Sequence, residues 1–270
     1  MSKKTRSGLT LEALYRFPVK SLGGESFAAR DVLARGLAYD RHWMLVDEQG
    51  GFLSQRQLPR MSLISASVDN AGTLRLSAPG MPELVLSTCA GGPLDVTVWG
   101  DSVSAETAGP EADDWLNRFL DVSCRLVCFA QDTVRRVDPE FSRATDQVGF
   151  ADGFPFLLIS RASLDDLNRR LGQPVAMLRF RPNLVVAGCE AFAEDGWRRI
   201  RIGELEFRVA KPCSRCIIPT IDPSTGQRGV EPLRTLSTYR KRGNKVYFGQ
   251  NLIHETAGRL AVGTPVEVLE

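Results

Sequence analysis

The sequence has 270 residues, 43% of them hydrophobic and 24% charged, which is typical of a soluble globular protein of one large or two modest domains. Its 34 basic and 32 acidic residues give a net charge of +2, which excludes the strong overall positive charge of most nucleic-acid-binding domains. No segment approaches the ~20 apolar residues of a membrane span, and the polar start, Met1 to Ser7, is not followed by the apolar core of a signal peptide. We therefore expect a cytoplasmic protein that binds neither membranes nor nucleic acid.

Short strands dominate the first third of the chain. The first candidate, Leu9 to Arg16, leads into a loop from Pro18 to Gly24 that is rich in proline, serine and glycine. Further candidates follow at close spacing: Phe27 to Leu33, His42 to Asp47, Leu63 to Val68, Thr73 to Ser77, Glu83 to Ser87, Leu94 to Trp99 and Ser102 to Glu106. Frequent glycine and proline between them predict antiparallel strands arranged as a barrel or a sandwich.

More helix is predicted beyond this region. Pro110 to Asp121 places its large apolar residues on one face, and a second helix is expected after Ser160 or Ser163, either of which can cap it. The polar segment from Gln131 to Gln147 is interpreted as a surface crossing or a domain junction. These features predict an α+β protein with two domains, residues 9–130 and residues 131–270.

Two cysteines lie three residues apart in the segment from Lys211 to Thr220. Lys211 and Arg215 place positive charge beside Cys213 and Cys216, which favours thiolate over thiol. Flanking prolines disfavour a helix, so we expect both thiols on a loop after a strand that ends near Ala210. Such thiolates are metal ligands, nucleophiles or redox groups. Zinc and thioredoxin patterns do not fit, and an unreactive pair is as consistent with the spacing as any of these functions.

The other four cysteines are Cys89, Cys124, Cys128 and Cys189. Disulfides are not expected in an intracellular protein of this size. Cys124 and Cys128 flank or lie in an apolar strand-like segment, and Cys189 follows a strand end, so we interpret these three as buried, unreactive thiols.

A second, dispersed group of polar residues lies at predicted strand ends. Its members are Lys20, Ser21, Arg41, Arg181, Asn183 and Asn251. Arginine and lysine bind phosphate oxygens, and asparagine can pair with the donors and acceptors of a heterocyclic ring. Together they are compatible with a large anionic ligand that is rich in amide groups, although each alone is more often a surface residue.

Several separated motifs in this sequence resemble the MOSC family (molybdenum cofactor sulfurase C-terminal domain) and the β-barrel domain that precedes it. The matching stretches are Tyr15 to Ser21, Asp40 to Trp43, Phe180 to Asn183, Lys211 to Cys216, Asp222 to Gly226, Glu231 to Leu233 and Phe248 to Asn251. The resemblance covers residues 9–269. It implies a strand-rich N-terminal β-barrel domain followed by a MOSC-type β-barrel domain with flanking helices.

The resemblance also implies a molybdenum cofactor, a pyranopterin with a molybdenum–dithiolene centre, bound where the two domains meet. Cys216 would bind the metal and be the catalytic residue, whereas Cys213 would not bind it. The matching cofactor-binding positions are Lys20, Ser21, Arg41, Arg181, Asn183, Ser214, Arg215 and Asn251. Asn251 stands where some members have tyrosine.

Bacterial reductases of N-hydroxylated compounds and the mitochondrial amidoxime-reducing component belong to this family. The implied activity is reduction of amidoximes, hydroxylamines or N-hydroxylated bases to the parent amine or amidine plus water. Two alternatives stay open: a non-enzymatic carrier or sulfur-transfer module for the cofactor, and an oxidoreductase for another substrate class.

A separate electron-transfer protein is expected as a partner. The sequence contains neither the cysteine spacing of a plant-type [2Fe–2S] cluster nor a Gly-x-Gly-x-x-Gly turn for a nicotinamide or flavin. The expected donor is a ferredoxin or a cytochrome of the b5 type with its own reductase. The basic residues Arg240 to Arg242 are a candidate docking site or, equally, a solvated turn.

Overall fold

The computed structural model describes residues 8–87, 89 and 91–270. In chain order its strands are β1 (Thr10–Arg16), β2 (Glu25–Phe27), β3 (Ala29–Leu33), β4 (Gly36–Leu37), β5 (Trp43–Val46), β6 (Ser65–Val68), β7 (Leu74–Ser77), β8 (Leu84–Leu86), β9 (Pro93–Val98), β10 (Asp101–Thr107), β11 (Arg125–Phe129), β12 (Phe156–Ser160), β13 (Leu184–Ala187), β14 (Arg199–Ile202), β15 (Leu205–Ser214), β16 (Lys241–Arg242), β17 (Lys245–His254), β18 (Gly258–Ala261) and β19 (Val266–Val268). The α-helices are α1 (Pro110–Leu120), α2 (Arg161–Arg170) and α3 (Leu233–Ser237). Short 3₁₀ segments occupy Pro59–Leu63, Met177–Phe180, Ala193–Gly196 and Ile218–Thr220. The predicted strand-rich α+β class is confirmed.

A nine-stranded sheet forms the larger part of the molecule. Its order is β19-β14-β15-β17-β12-β13-β1-β2, with β16 paired to β17 at the side. Strands β12 and β13 are parallel, and the other pairs are antiparallel. The opening strand β1 therefore lies in the same sheet as strands from the second half of the chain. The domain boundary at residue 130 stays a prediction.

Three smaller sheets complete the described part of the fold. They are β5-β11-β10-β9, β6-β7-β8 and β18-β3-β4. Helix α1 buries Trp115, Leu116, Phe119 and Leu120, the apolar face predicted from its sequence. Ser160 is the N-cap of helix α2, and its side chain accepts a hydrogen bond from the Ser163 amide, as the capping pattern predicts. No helix among the described residues is long and apolar enough to cross a membrane.

Strand β15 extends farther than its sequence suggests. It continues to Ser214 instead of ending near Ala210, so the expectation that both thiols lie on a loop is wrong for Cys213. Register shifts between Val209 and Lys211 and between Pro212 and Ser214 mark irregularities opposite β17. Such bulges accommodate a proline that cannot donate a ladder hydrogen bond. Cys216 follows the end of the strand.

Strand β17 also extends through the Phe-Gly-Gln-Asn motif, and Gly249 explains why a glycine stands there. Its φ is +82°, and a Cβ at this position would lie 2.8 Å from the Leu158 carbonyl oxygen and 2.6 Å from Ile159 Cγ1. Only glycine allows β17 to approach β12 this closely without strain. This close approach fixes the strand that carries Asn251.

The cysteines depart from the sequence-based expectation in one pair. Cys89 and Cys128 form a disulfide, so the prediction that Cys128 is a buried free thiol is wrong. Cys124 is free and buried, and burial together with the nearby Asp113 raises its pKa to about 12. Cys189 is free and half-buried. The sequence positions of the two cysteines do not indicate that they pair, because strands β9 and β10 lie between them in the chain.

A buried ion pair joins the central sheet to the smaller sheets. Arg16 is fully buried, and its Nη2 lies 2.6 Å from Glu25 Oε1. The same guanidinium donates to the Ala38 carbonyl at 2.8 Å and to the Val68 carbonyl at 2.5 Å. Glu25 in turn accepts from the Val68 amide at 3.1 Å. This group of hydrogen bonds holds β6 against the end of β1.

Arg16→Met should lower the free energy of unfolding by about 3–5 kcal/mol, because it leaves the Glu25 carboxylate and two carbonyls without their donor. The matched control is Arg75→Met, which removes an exposed pair with Glu83 and should cost less than about 1 kcal/mol. Urea denaturation followed by circular dichroism measures both values. Equal losses for the two variants would contradict a structural role for the buried pair.

Candidate functional site

One cleft brings together the residues that the sequence singled out. The inner cleft, as we call it, has an empty volume of about 780 Å³ including the part open to solvent. Its lining includes all nine predicted site residues: Lys20, Ser21, Arg41, Arg181, Asn183, Ser214, Arg215, Cys216 and Asn251. The two halves of the chain therefore contribute to a single site.

Backbone pairing brings these distant segments together. The Tyr15 amide donates to the Asn183 carbonyl at 2.9 Å, which places the end of β1 beside the start of β13. After β1, the Lys20 amide donates to the Trp43 carbonyl at 2.8 Å. The Arg41 amide likewise donates to the Phe17 carbonyl at 2.8 Å. The loop after β1 thus carries Lys20 into the cleft next to Arg41.

Unusual backbone conformations are concentrated here. Ser21, Arg41 and Arg181 have φ values of 68°, 46° and 57°, in the left-handed region that non-glycine residues rarely adopt. A residue in this region costs free energy, and such residues persist where the surrounding structure requires them, often at functional sites. Three of the predicted site residues are therefore held in conformations that the local sequence alone does not favour.

Two guanidinium groups of the inner cleft pack against one aromatic ring. Arg41 and Arg181 lie 4.5 Å and 4.2 Å from the centre of the Phe17 ring. Arg41 donates to Asp40 at 2.5 Å and to the Arg181 carbonyl at 3.1 Å. Arg181 donates to the Leu22 carbonyl through Nη1, whereas its Nη2 is buried and makes no hydrogen bond to the described residues.

The electrostatics of this pair favour an anion. Burial, and then the positive charge of Arg41, lower the pKa of Arg181 to about 9. The guanidinium remains protonated near neutral pH but is destabilised there. A bound anion would offset both causes and would give the buried Nη2 an acceptor. The Arg41–Arg181 pair is thus suited to a phosphate or a similar group.

Lys20 is another cation of the inner cleft and is almost fully buried. Its Nζ donates to the Phe150 carbonyl at 2.8 Å and forms an ion pair with Asp152. Burial lowers the pKa of Lys20, and Asp152 counteracts this effect. The Trp99 indole donates to the same carboxylate at 3.1 Å. Asp152 therefore holds Lys20 in place and links it to Trp99.

Asn183 makes several hydrogen bonds within the protein. Its side-chain oxygen accepts from the Leu157 amide at 3.2 Å and from Arg41 at 3.1 Å. Its side-chain nitrogen donates to the Tyr15 carbonyl at 3.3 Å. These bonds join β1, β12 and Arg41, so Asn183 positions Arg41 whatever it contacts in a ligand. Its predicted contact with a cofactor stays a prediction.

The two thiols have different surroundings. Cys216 is exposed in the cleft, and Arg56 Nη1 lies 3.6 Å from its Sγ. Arg215, which the sequence placed beside Cys216, instead donates to Cys213 Sγ at 3.1 Å and to the Phe180 carbonyl at 2.7 Å. The Arg215 guanidinium points toward Cys213 because Cys213 lies within strand β15. The charge next to Cys216 therefore comes from the N-terminal half.

Sequence reasoning missed four important residues, Phe17, Arg56, Trp99 and Asp152. Arg56 lies 4.7 Å from the Trp99 ring and 3.9 Å from Asp152 Oδ2. No spacing pattern connects these positions, since they meet only through tertiary contacts. Phe17 alone had a local signal, because it lies inside the Tyr-Arg-Phe-Pro-Val-Lys-Ser motif.

A second cleft adjoins the first at Cys216. This outer cleft has an empty volume of about 1490 Å³ including its open part. Its lining shares Arg56, Asp152, Gly153, Phe154, Cys213, Ser214, Cys216 and Asn251 with the inner cleft. Other residues line the outer cleft without lining the inner one, among them Trp99, Arg136, Pro139 and Lys211. The Cys216 thiol is accessible from both sides.

Comparison with known proteins assigns the family. Residues 8–123 match the MOSC N-terminal beta barrel domain, and residues 145–267 match the MOSC domain. The chain belongs to the MOSC family. The predicted resemblance and the order of the two MOSC domains are confirmed.

Similar proteins include mitochondrial amidoxime-reducing component 1 of Mus musculus, which is 38% identical over 96% of this MOSC chain and 82% of its own length. The Danio rerio protein of the same name is 37% identical over 98% of this chain and 86% of its own length. Mitochondrial amidoxime reducing component 2 of Bos taurus is 37% identical over 95% of this chain and 82% of its own length. Among solved structures, the YUAD protein of Bacillus subtilis is similar, with a TM-score of 0.43 at 12% identity over 96% of this chain and 93% of that chain.

Arg41→Lys and Arg181→Lys should each weaken the binding of pyrophosphate, used as a compact probe anion, about tenfold. Lysine keeps the charge but loses the planar fork that gives two parallel hydrogen bonds. Isothermal titration of the purified protein measures the dissociation constant. Arg169→Lys is the matched control, because this exposed arginine lies on α2 and lines neither cleft. Equal affinity in all three variants and the parent would contradict an anion site at Arg41 and Arg181.

Proposed function

We propose that this MOSC protein is a molybdenum-cofactor-dependent reductase of N-hydroxylated compounds. An N–OH group, two electrons and two protons would give the N–H compound and water. The observation that carries the proposal is the inner cleft, where an exposed Cys216 thiol lies among cations from both halves of the chain. The names of the amidoxime-reducing relatives, together with their 37–38% identity, support the reaction type.

The residues present fit the proposed cofactor. A pyranopterin cofactor carries an anionic phosphate, a polar heterocycle and a soft metal centre. The phosphate would accept a hydrogen bond from the buried Arg181 Nη2. The left-handed backbone conformations of Arg41 and Arg181 are also consistent with a binding site for this anion. Cys216, whose thiolate would be a soft ligand, fits the metal. When bound, the cofactor would supply the two-electron reduction of the N–O bond.

The chain's own residues would bind and orient the reactants. Arg41 and Arg181 would hold the anionic end of the cofactor, with Asn183 fixing Arg41. Lys20 and Ser21 are almost fully buried and would exclude water from the cofactor. Gln55 donates to the Ser21 carbonyl at 2.6 Å and so supports the left-handed turn at Ser21. Arg56, 3.6 Å from Cys216 Sγ, would stabilise negative charge on the Cys216 thiolate.

The test compares the two cysteines of the pair. Cys216→Ala should abolish benzamidoxime reduction, because it removes the metal ligand, while the fold is retained. Cys213→Ala should keep substantial activity, since Cys213 is packed within β15 and contacts Arg215. Activity and molybdenum and pterin content are measured on proteins made in a host that synthesises the cofactor, with circular dichroism as the control for folding.

Two results would contradict the proposal. Loss of activity in Cys213→Ala but not in Cys216→Ala would reverse the assignment of the ligand. A persulfide on either cysteine, detected by mass spectrometry in protein that reduces no N-hydroxylated compound, would instead support a sulfur-transfer module.

We also propose that a small acidic electron carrier, a ferredoxin or a cytochrome of the b5 type, supplies the two electrons. Lys241 and Arg242 of strand β16 are exposed and could attract such a partner. Both Arg240 and Arg242 pair with Asp195, at 2.6 Å and 3.8 Å, but only the Arg240 side chain is mostly buried, 4.2 Å from the Phe192 ring, and we therefore leave it out of this surface. Its interior contacts were not evident from the basic sequence around it.

Purified, cofactor-loaded protein should therefore reduce benzamidoxime slowly or not at all with NADH or NADPH alone. Addition of a carrier and its reductase should increase turnover by more than about tenfold, because each turnover consumes two electrons that the carrier would supply. Product formation measured by chromatography decides the matter. Rapid turnover with the nicotinamide alone would show that the chain accepts electrons directly.

A further inference from the structure

The outer cleft offers a compartment for the substrate that is distinct from the space for the cofactor. We propose that it selects N-hydroxylated compounds that carry an acidic group, such as a carboxylate or a phosphate. This inference rests on the proposed function, because it specifies the substrate class of the same site.

The position of the outer cleft supports a substrate compartment. Of the two clefts, Lys20, Arg41 and Arg181 line the inner one, where the cofactor would bind, and not the outer one. Arg136, Pro139 and Lys211 line only the outer cleft. Both clefts reach Cys216. A molecule in the outer cleft could therefore approach the reacting centre while the cofactor fills the inner cleft.

The rim of the outer cleft presents a flat aromatic surface. Trp99 is 55% exposed, and its backbone has a φ of 60°, a conformation that is costly for a large side chain. Its ring packs 5.1 Å from Phe52 and is covered on one side by Arg56 at 4.7 Å. The hydrogen bond from its indole to Asp152 fixes its orientation. An exposed and oriented indole is suited to stacking against a planar substrate.

The charges of the outer cleft do not cancel. The cations of its lining are Arg56, Arg135, Arg136 and Lys211. The carboxylates are Asp101, Asp138 and Asp152. Three ion pairs use Arg135 with Asp101, Lys211 with Asp138, and Arg56 with Asp152. Asp152 also neutralises Lys20 from the inner cleft.

Arg136 is exposed and takes part in none of the ion pairs found among the described residues. Arg56, at 3.9 Å, is only loosely paired with a carboxylate that it shares with Lys20. Four cations against three carboxylates leave one net positive charge in the lining, and Arg136 is the cation without a carboxylate partner among the described residues. It attracts an acidic substituent and repels a protonated amine, so the cleft discriminates by charge.

The experiment compares benzamidoxime with 4-carboxybenzamidoxime, which share the reacting group and differ in one carboxylate. The cofactor-loaded protein should reduce the acidic compound with a kcat/KM about twofold to fivefold higher, the effect of one partly exposed ion pair. This ratio should fall toward one in Arg136→Gln and with rising ionic strength. Arg198→Gln, a 79% exposed arginine that lines neither cleft, should leave the ratio unchanged.

A binding measurement keeps this inference separate from the proposed reaction. The non-reducible amides benzamide and 4-carbamoylbenzoate are titrated into the same protein by calorimetry, and the anion should bind more tightly by a similar factor. If neither oxime is reduced, the proposed function fails, and the two amides still decide the charge preference. Equal or weaker binding of the anion, or a ratio unaffected by Arg136→Gln, would overturn the inference.

Discussion

The pairing of β1 with β13 is the contact on which the site depends. It joins Leu14 to Leu184 and the Tyr15 amide to the Asn183 carbonyl, across most of the chain's length. The loop that follows β1 is thereby placed against the turn that precedes β13. Without this pairing, the cations of the N-terminal half and the thiols of the C-terminal half would not share a cleft. A parallel pairing of β12 with β13 then orders the next strand, and β17 and β15 follow beside it.

The charges and backbone conformations of the inner cleft are unfavourable in free energy, and a bound ligand can offset this cost. Arg41 and Arg181 both face the Phe17 ring, and both have left-handed backbone conformations. The Asp40 carboxylate accepts a hydrogen bond from Arg41. Like charges held together with one orphan donor are costly in a folded protein. The surrounding hydrogen bonds, above all those of Asn183, maintain the arrangement. This pre-organisation lowers the cost of binding an anion, because no large rearrangement is then needed.

Local patterns predicted the strands, the apolar face of α1 and the cap of α2, since these depend on residues close in sequence. The family motifs predicted residues that the fold brings into one cleft, and they could do so because each motif is short and continuous. Contacts between distant segments were not accessible in this way. Arg56 and Asp152 belong to no motif, and the partner of Arg215 depends on which residues of β15 remain inside the strand. Pro212 suggested that the strand ended early, but irregular pairing with β17 carries it on to Ser214.

X-ray absorption at the molybdenum edge tests the central claim, that Cys216 is the protein ligand of the metal at the junction of the two halves. Protein made in a cofactor-competent host should show one sulfur ligand more than the dithiolene alone provides. That additional sulfur should be absent in Cys216→Ser and present in Cys213→Ser, with pterin bound in all three proteins. An unchanged sulfur count in Cys216→Ser, or its loss in Cys213→Ser, would contradict the account.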